Sequence, residues 1–361
     1  MHFVELGPLA PRTAYHFRVA SHSNATWSRV YHFRSLYNDN TEPTRFAVFG
    51  DMGIYATNNI GNLARDVASG AIDFVVHLGD HAYNLGEDDG RRGDGYFTGI
   101  EPVVTAVPWL TVMGNHEYYD GDVFTRYLNQ TYGNKMVNAV LSNSGTNRFY
   151  STDIGMAHLV VLDFNIYYFD TEESWRLAQL EWLQLDLAAA SQRREETPWI
   201  IVMAHMPLYC SSVTLDTVYP AGVDPNTLTD FQGCVGTGEA NVERSRKDVE
   251  PLLLEYGVDL FLCGHEHNYE SLYPTMNNTK AGDDFSEPKA PVHVVTGAGG
   301  PAGLDRFGPP GPWTRKQLSN FSYSRISIVD AATLEFEQIS NADNTVLDQW
   351  TLTQTSHGPF V

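Results

Sequence analysis

Leu260-Phe261-Leu262-Cys263-Gly264-His265-Glu266-His267 is an apolar run stopped by a glycine and followed by two histidines. A short run of bulky apolar residues ended by glycine reads as a buried strand. In an extended loop beyond it, His265 and His267, at i and i+2, can both reach inward. The same grammar recurs four times upstream. The run 46–49 precedes Gly50-Asp51-Met52-Gly53, and 74–78 precedes Gly79-Asp80-His81-Ala82-Tyr83. The run 109–113 precedes Gly114-Asn115-His116-Glu117, and 199–203 precedes Ala204-His205-Met206-Pro207. Open α/β sheets carry their chemistry on the loops beyond the carboxyl ends of their strands. Strands are also expected at 159–162, 292–296, 323–329, 334–339 and 346–352, and helices near 59–68, 172–190 and 242–256. In the second helix Trp175, Ala178, Trp182 and Leu185 recur at helical spacing, so this stripe is expected to cover a sheet face. The fold class is therefore α/β, a two-sheet sandwich flanked by helices.

Taken singly, Asp51 suits a turn, and His205 suits a satisfied core histidine. Together the clusters hold a ligand set for two adjacent ions. Asp51, Asp80, Tyr83 and His267 form an oxygen-rich group with a phenolate, which favours a hard trivalent ion such as ferric iron. Asp80, Asn115, His205 and His265 form a mixed nitrogen and oxygen group suited to zinc, manganese or ferrous iron. Asp80 belongs to both groups and would bridge. His116, beside Asn115, is free for proton chemistry, with Glu117 as its possible orienter. His81 either faces the substrate or is a packed or solvent-facing histidine. Two ions about 3.5 Å apart can activate a water and clamp both ends of an in-line displacement at phosphorus.

These five blocks resemble the purple acid phosphatases, a branch of the calcineurin-like metallophosphoesterases, over residues from about 44 to 350. Gly53 and Tyr83 are the discriminating pair within that superfamily. The stretches 269–274 and 291–297 are similar to the long animal and plant forms. The resemblance implies an acid phosphatase that cleaves phosphate monoesters at acidic pH through a metal-bound hydroxide. The alternative is a phosphodiesterase or nucleotide phosphohydrolase of the same superfamily, with the loops 84–99 and 209–239 deciding. The resemblance also implies that Tyr323 and the Gly/Pro-rich loop 297–312 border the site. Plant forms carry extra histidines soon after the fourth block; here none lies between His205 and His265.

Two strands are expected at 15–19 and 30–34, after the turn Leu9-Ala10-Pro11-Arg12-Thr13. Residues 1–38 resemble a partial fibronectin type III-like segment, too few strands for a free-standing sandwich. The expected division is 1–38, then a catalytic domain over 44–290, then a strand-rich C-terminal part over 291–361. A remote alternative, a non-enzymatic extracellular adhesion module, rests on this segment and on Arg92-Gly93-Asp94, expected in a polar loop.

The chain has 361 residues and a net charge of −21. That balance argues against nucleic acid as a partner, because binding a phosphate backbone needs clustered Lys and Arg. A small phosphorylated substrate then requires local positive charge, which bound metals supply. No apolar run is long enough to span a bilayer. Met1-His2-Phe3 opens directly onto strand-like sequence with no leader, as though the chain begins inside a domain. A secreted protein, or one in an acidic secretory or lysosomal compartment, is the expectation from the resemblance. Asn24, Asn129, Asn277 and Asn320 lie in glycosylation sequons, where chance alone would give about three. Cys210 and Cys234 share one long loop and could pair, while Cys263 reads as an inert buried thiol.

Overall fold

The structure is a computed structural model that describes residues 4, 6–20, 26–37, 40–118, 137–169, 173–213, 234 and 239–360. Two sheets face each other across the main core. The first has the order β19 (Val346–Thr353), β18 (Thr333–Ser340), β17 (Ser322–Asp330), β3 (Thr44–Phe49), β4 (Phe74–His77), β5 (Trp109–Thr111). The second runs β16 (Thr314–Leu318), β11 (Tyr269–Leu272), β14 (Val292–Thr296), β10 (Leu260–Cys263), β8 (Trp199–Met203), β7 (Ala157–Val161), β6 (Tyr150–Ile154). The strands β3–β4–β5 are parallel, as are β14–β10–β8–β7; the flanking strands are antiparallel. The strands β14 and β16–β19 thus complete both sheets. Short ribbons join β1 (Ala14–Phe17) to β2 (Tyr31–Arg34), β9 (Ser212–Val213) to β15 (Arg306–Phe307), and β12 (Thr275–Met276) to β13 (Thr279–Lys280).

Because side chains alternate across a strand, each parallel strand feeds two cores. Phe46 and Val48 point between the sheets with Leu260, Leu262 and Ile201. Ala47 and Phe49 point outward, under the helices α1 (Ile60–Ser69) and α2 (Arg91–Val104). On the other side Val160, Ile200 and Phe261 meet α5 (Glu173–Ser191) and α6 (Glu239–Glu255). Two short helices, α3 (Val137–Leu141) and α4 (Asn165–Tyr168), complete the set among the described residues. Every strand here is buried on both faces near the site, which is why the sequence shows continuous apolar runs rather than alternation.

Three expectations are corrected. Arg92-Gly93-Asp94 opens α2 instead of sitting on a loop. Gly93 packs so closely on the Leu85 carbonyl that a Cβ there would lie 2.6 Å away, and Arg92 is paired with Glu87 at 2.9 Å. Four low-propensity positions disguise the helix, but buried Tyr96, Ile100 and Val103 recur on one face and drive its burial. On α5 the buried stripe is Gln179, Trp182, Leu183, Leu187 and Ala190; Ala178 and Leu185 face solvent, Leu185 being 67 % exposed. Trp182 and half-buried Trp175 do pack on the sheet side, so the expected face fails only at Ala178 and Leu185. Tyr323 does not border the site: it is fully buried, and its hydroxyl donates to Asp66 on α1 at 2.7 Å.

Cys210 and Cys234 are disulfide-bonded, and burial pushes the Cys263 thiol well above its usual range. Of the loop 209–239, residues 214–233 and 235–238 lie outside the described residues, as do Asn24 and Asn129; Asn277 and Asn320 are exposed. Among the described residues no helix is long and apolar enough to cross a membrane.

Candidate metal centre

Three loops leave the parallel half of the first sheet and two leave that of the second, all at carboxyl ends. Backbone bonds stitch them together: Asp51 N–H donates to the Gly79 carbonyl at 3.0 Å, and Gly264 N–H to that of His205 at 2.9 Å. The loops are packed too closely for side chains at their glycines. A Cβ on Gly114 would lie 2.2 Å from Oδ1 of Asp80, and one on Gly79, itself at φ +99°, would lie 2.6 Å from His205. Asp51, Asp80, Tyr83 and His265 all have positive φ, between 54° and 68°. Non-glycine residues held there cost of order 1–3 kcal/mol each, and such strain collects at functional sites.

Seven of the expected side chains converge. Tyr83 Oη lies 2.6 Å from Nε2 of His267 and 3.4 Å from Oδ1 of Asp51. His267 Nε2 is 3.5 Å from that same oxygen. Nearby, Asn115 Oδ1 sits 2.9 Å from both Nε2 of His205 and Nδ1 of His265. Asp80 connects the two groups, its Oδ1 lying 3.3 Å from His205 Nε2. Ligand atoms of Asp51, Asp80 and His205 lie within 4.8 Å of one another. Outer hydrogen bonds orient the rings. His205 donates from Nδ1 to the Leu78 carbonyl at 2.6 Å, and His267 from Nδ1 to that of Gly303 at 3.1 Å. Each Nε2 is thereby aimed inward, the arrangement a metal-binding imidazole requires.

The charges fit cations. Asp51 and Asp80 are buried, and among the described residues their ion-pair partners are histidines alone. Burial pushes the Asp51 carboxyl up. Burial also opposes ionised Asp80, yet His205 and His116 hold its carboxyl far below the usual carboxylate range. Burial likewise works against charge on His205, but Asp80 and Asp51 outweigh it and raise the ring to about 10. His267 is raised to about 9 against its own burial, through its contact with Asp51. His265, buried beside the His205 cation, is pushed down to about 3. Burial and the carboxylates of Asp51, Asp80 and Asp305 drive the Tyr83 phenol well above its usual value. A phenolate at this position therefore calls for a strongly charged cation beside it. Two buried carboxylates, three inward imidazole nitrogens, an amide oxygen and a phenol make a donor set that fits a metal pair.

Two expected roles change. Glu117 does not orient His116. Its buried carboxylate accepts the backbone N–H groups of Gly114 at 2.7 Å, Asp80 at 3.0 Å and His81 at 2.8 Å, fixing the two loops to each other. His81 does not face a substrate. Its ring is buried 4.3 Å from that of His77, with Nδ1 3.3 Å from Glu117. The loop's left-handed turn after Asp80 sends this side chain back toward α2. His116 remains at the opening, its side chain 24 % exposed and its Nε2 3.8 Å from Asp80 Oδ2. Sequence reasoning missed Asn84, whose Oδ1 lies 2.9 Å from Nδ1 of His116. It also missed Asp305, which accepts the His267 N–H at 2.7 Å. Asp305 is separated from its partner by a long stretch of chain, and only the glycines and prolines around it signalled a functional loop.

Comparisons with known proteins agree with this architecture. The calcineurin-like phosphoesterase family matches residues 44–269, and the iron/zinc purple acid phosphatase-like C-terminal family matches 290–349. Acid phosphatase type 7 of Danio rerio is 33 % identical over 99 % of this chain and 79 % of its own length. Its Homo sapiens counterpart is also 33 % identical, over 96 % and 76 %. A solved purple acid phosphatase from yellow lupin (Lupinus luteus) seeds superposes with a TM-score of 0.75 at 25 % identity, covering 97 % of this chain and 61 % of its own.

Proposed function

The chain belongs to the calcineurin-like phosphoesterase family, in its purple acid phosphatase branch, and on that premise we propose how it hydrolyses phosphate monoesters in acid. Asp51, Asp80, Tyr83 and His267 would hold a ferric ion, and Asp80, Asn115, His205 and His265 a divalent one: zinc, manganese or ferrous iron. When bound, such a pair supplies an acidic water as nucleophile and positive charge for the phosphate oxygens. The observation that carries this reading is the single Asn115 oxygen between two imidazole nitrogens, with Asp80 joining that group to Tyr83 and His267 through Asp51.

The protein's own groups then have distinct tasks. Buried carboxylates fix the ions without offering a free anion to repel the substrate. Glu117 keeps the Asp80 and Asn115 loops in register. His116 donates the proton that the departing alkoxide needs, a role worth typically 10²–10⁴-fold. The disulfide and the exposed sequons at Asn277 and Asn320 suit an oxidising, secretory route, with glycosylation at these asparagines.

Metal analysis of the purified protein tests the centre directly: two metal ions per chain, at least one of them iron, are expected, and zinc alone would overturn the ferric assignment. Tyr83→Phe is expected to lose the visible tyrosinate-to-iron band; a retained band removes Tyr83 from the ligand set. Activity on a phosphomonoester should exceed that on the matching bis-ester.

A further inference from the structure

The backbone after Asp80 does something costly. Ala82, Tyr83 and Asn84 lie in succession at φ 62°, 54° and 73°. Alanine and tyrosine resist this left-handed region, whereas asparagine tolerates it. The turn is pinned from outside, because Arg92 donates from Nη1 to the Tyr83 carbonyl at 3.2 Å and is itself paired with Glu87. The result is that two adjacent side chains serve two different partners. Tyr83 reaches His267 and Asp51. Asn84 reaches Nδ1 of His116 at 2.9 Å, while the Tyr83 ring stands edge-on to that imidazole with centroids 4.7 Å apart. His116 is thus held on one side by an amide oxygen and on another by an aromatic face, with Nε2 directed over Asp80.

We propose that Asn84 is the positioning residue for His116, accepting its Nδ1–H so that the Nε2 proton is presented to the leaving oxygen of the substrate. This rests on the role given to His116 above. In the step, the ester P–O bond breaks and its electron pair stays on the leaving oxygen. That oxygen takes the Nε2 proton of the imidazolium, while the oxygen of a water forms the new bond to phosphorus and loses its proton to solvent. The ring is left neutral in the Nδ1–H tautomer, which is the form an amide acceptor at Nδ1 holds in place. An asparagine, unlike a carboxylate, orients the ring without adding negative charge where a phosphate must approach.

The test is leaving-group dependence in the metal-loaded enzyme. An alkyl phosphate needs its leaving oxygen protonated; 4-nitrophenyl phosphate scarcely does. Asn84→Gly removes the acceptor and relieves the backbone, and Asn84→Asp keeps an acceptor. Asn84→Gly is expected to lower kcat on the alkyl ester about ten- to a hundredfold more than on the aryl ester, with KM and metal content unchanged. Asn84→Asp should restore most of the loss, and adding Asn84→Gly to His116→Ala should cost nothing further. Equal losses on both esters, additivity with His116→Ala, or loss of metal would overturn the proposal. If Asn84→Gly does not fold, Asn84→Ala is read in the same way, and failure of both assigns the residue to folding and ends the inference. His116→Ala separates the two claims. A flat response there removes the role of His116 itself, whereas a steep one beside a flat Asn84→Gly overturns the Asn84 step alone.

Discussion

A single methyl group is enough to probe the centre. Gly114 follows β5 where Asp80 leaves β4, and its missing side chain is the space that the Asp80 carboxylate occupies. Gly114→Ala should leave the far-ultraviolet circular dichroism intact and reduce bound metal at least tenfold; a variant with full metal occupancy would show that the loops can part. The candidate ligands were legible because each stands two to five residues beyond an apolar run, and carboxyl-end placement is a property of chain order. The neighbours were not. His81 and Asn84 flank Ala82 and Tyr83, yet one is buried behind the loop and the other serves His116. Only the run of positive φ angles decides which way each points, and no residue spacing encodes that. Glu117 was read as a partner of its neighbour, when its carboxylate is taken up by three backbone donors.

At the level of elements, strands buried on both faces were found almost to the residue: β8, β10 and β14 have the expected limits. Their signal is continuous burial, which needs no phase. Helices carry a phase, and there the reading slipped. Of the four expected positions on α5, Trp182 lies in the true stripe and half-buried Trp175 at its edge, while Ala178 and Leu185 fall outside it. The observed phase makes a sharp contrast. Leu187 is fully buried against the second sheet, while Leu185 is 67 % exposed. Leu187→Ala should lower unfolding free energy by about 2–5 kcal/mol and Leu185→Ala by no more than about 0.5 kcal/mol, measured by urea melts. Equal effects would place the helix in the expected orientation after all. The helix α2 was overlooked because its glycines and Pro102 lower local propensity, whereas its three buried anchors act only once the sheet exists.

Over the whole molecule, working in acid sets conditions on histidines far from the centre. His158 lies on β7 between Asp153 and Asp186, at 2.6 and 2.9 Å. Burial opposes its charge, but the two carboxylates win and raise its proton affinity. A raised folded value means that the stabilisation is fully present below the unfolded value of about 6.5 and is lost as pH rises through the folded one. Buried His293 has the opposite sign. Burial pushes it down to about 3, so its contribution holds above about 6.5 and falls away toward 3, by about 1.4 kcal/mol per pH unit in between. His158→Gln should therefore cost more stability at about pH 5 than in alkaline buffer. An equal cost at both, by denaturant melts, would refute the paired charge.

The strand β3 lies between β4 and β17, and β17 begins at Ser322, roughly 270 residues after β3 ends. On the ribosome the loop that carries Asp51 is therefore made long before its strand is flanked on both sides. Its strand must wait on one side for those intervening residues to be translated. Nascent chains stalled before Ser322 should capture no iron or zinc, while released full-length chains should load both, so that metallation follows translation and any chaperone guarding the half-finished sheet acts before the cofactor arrives.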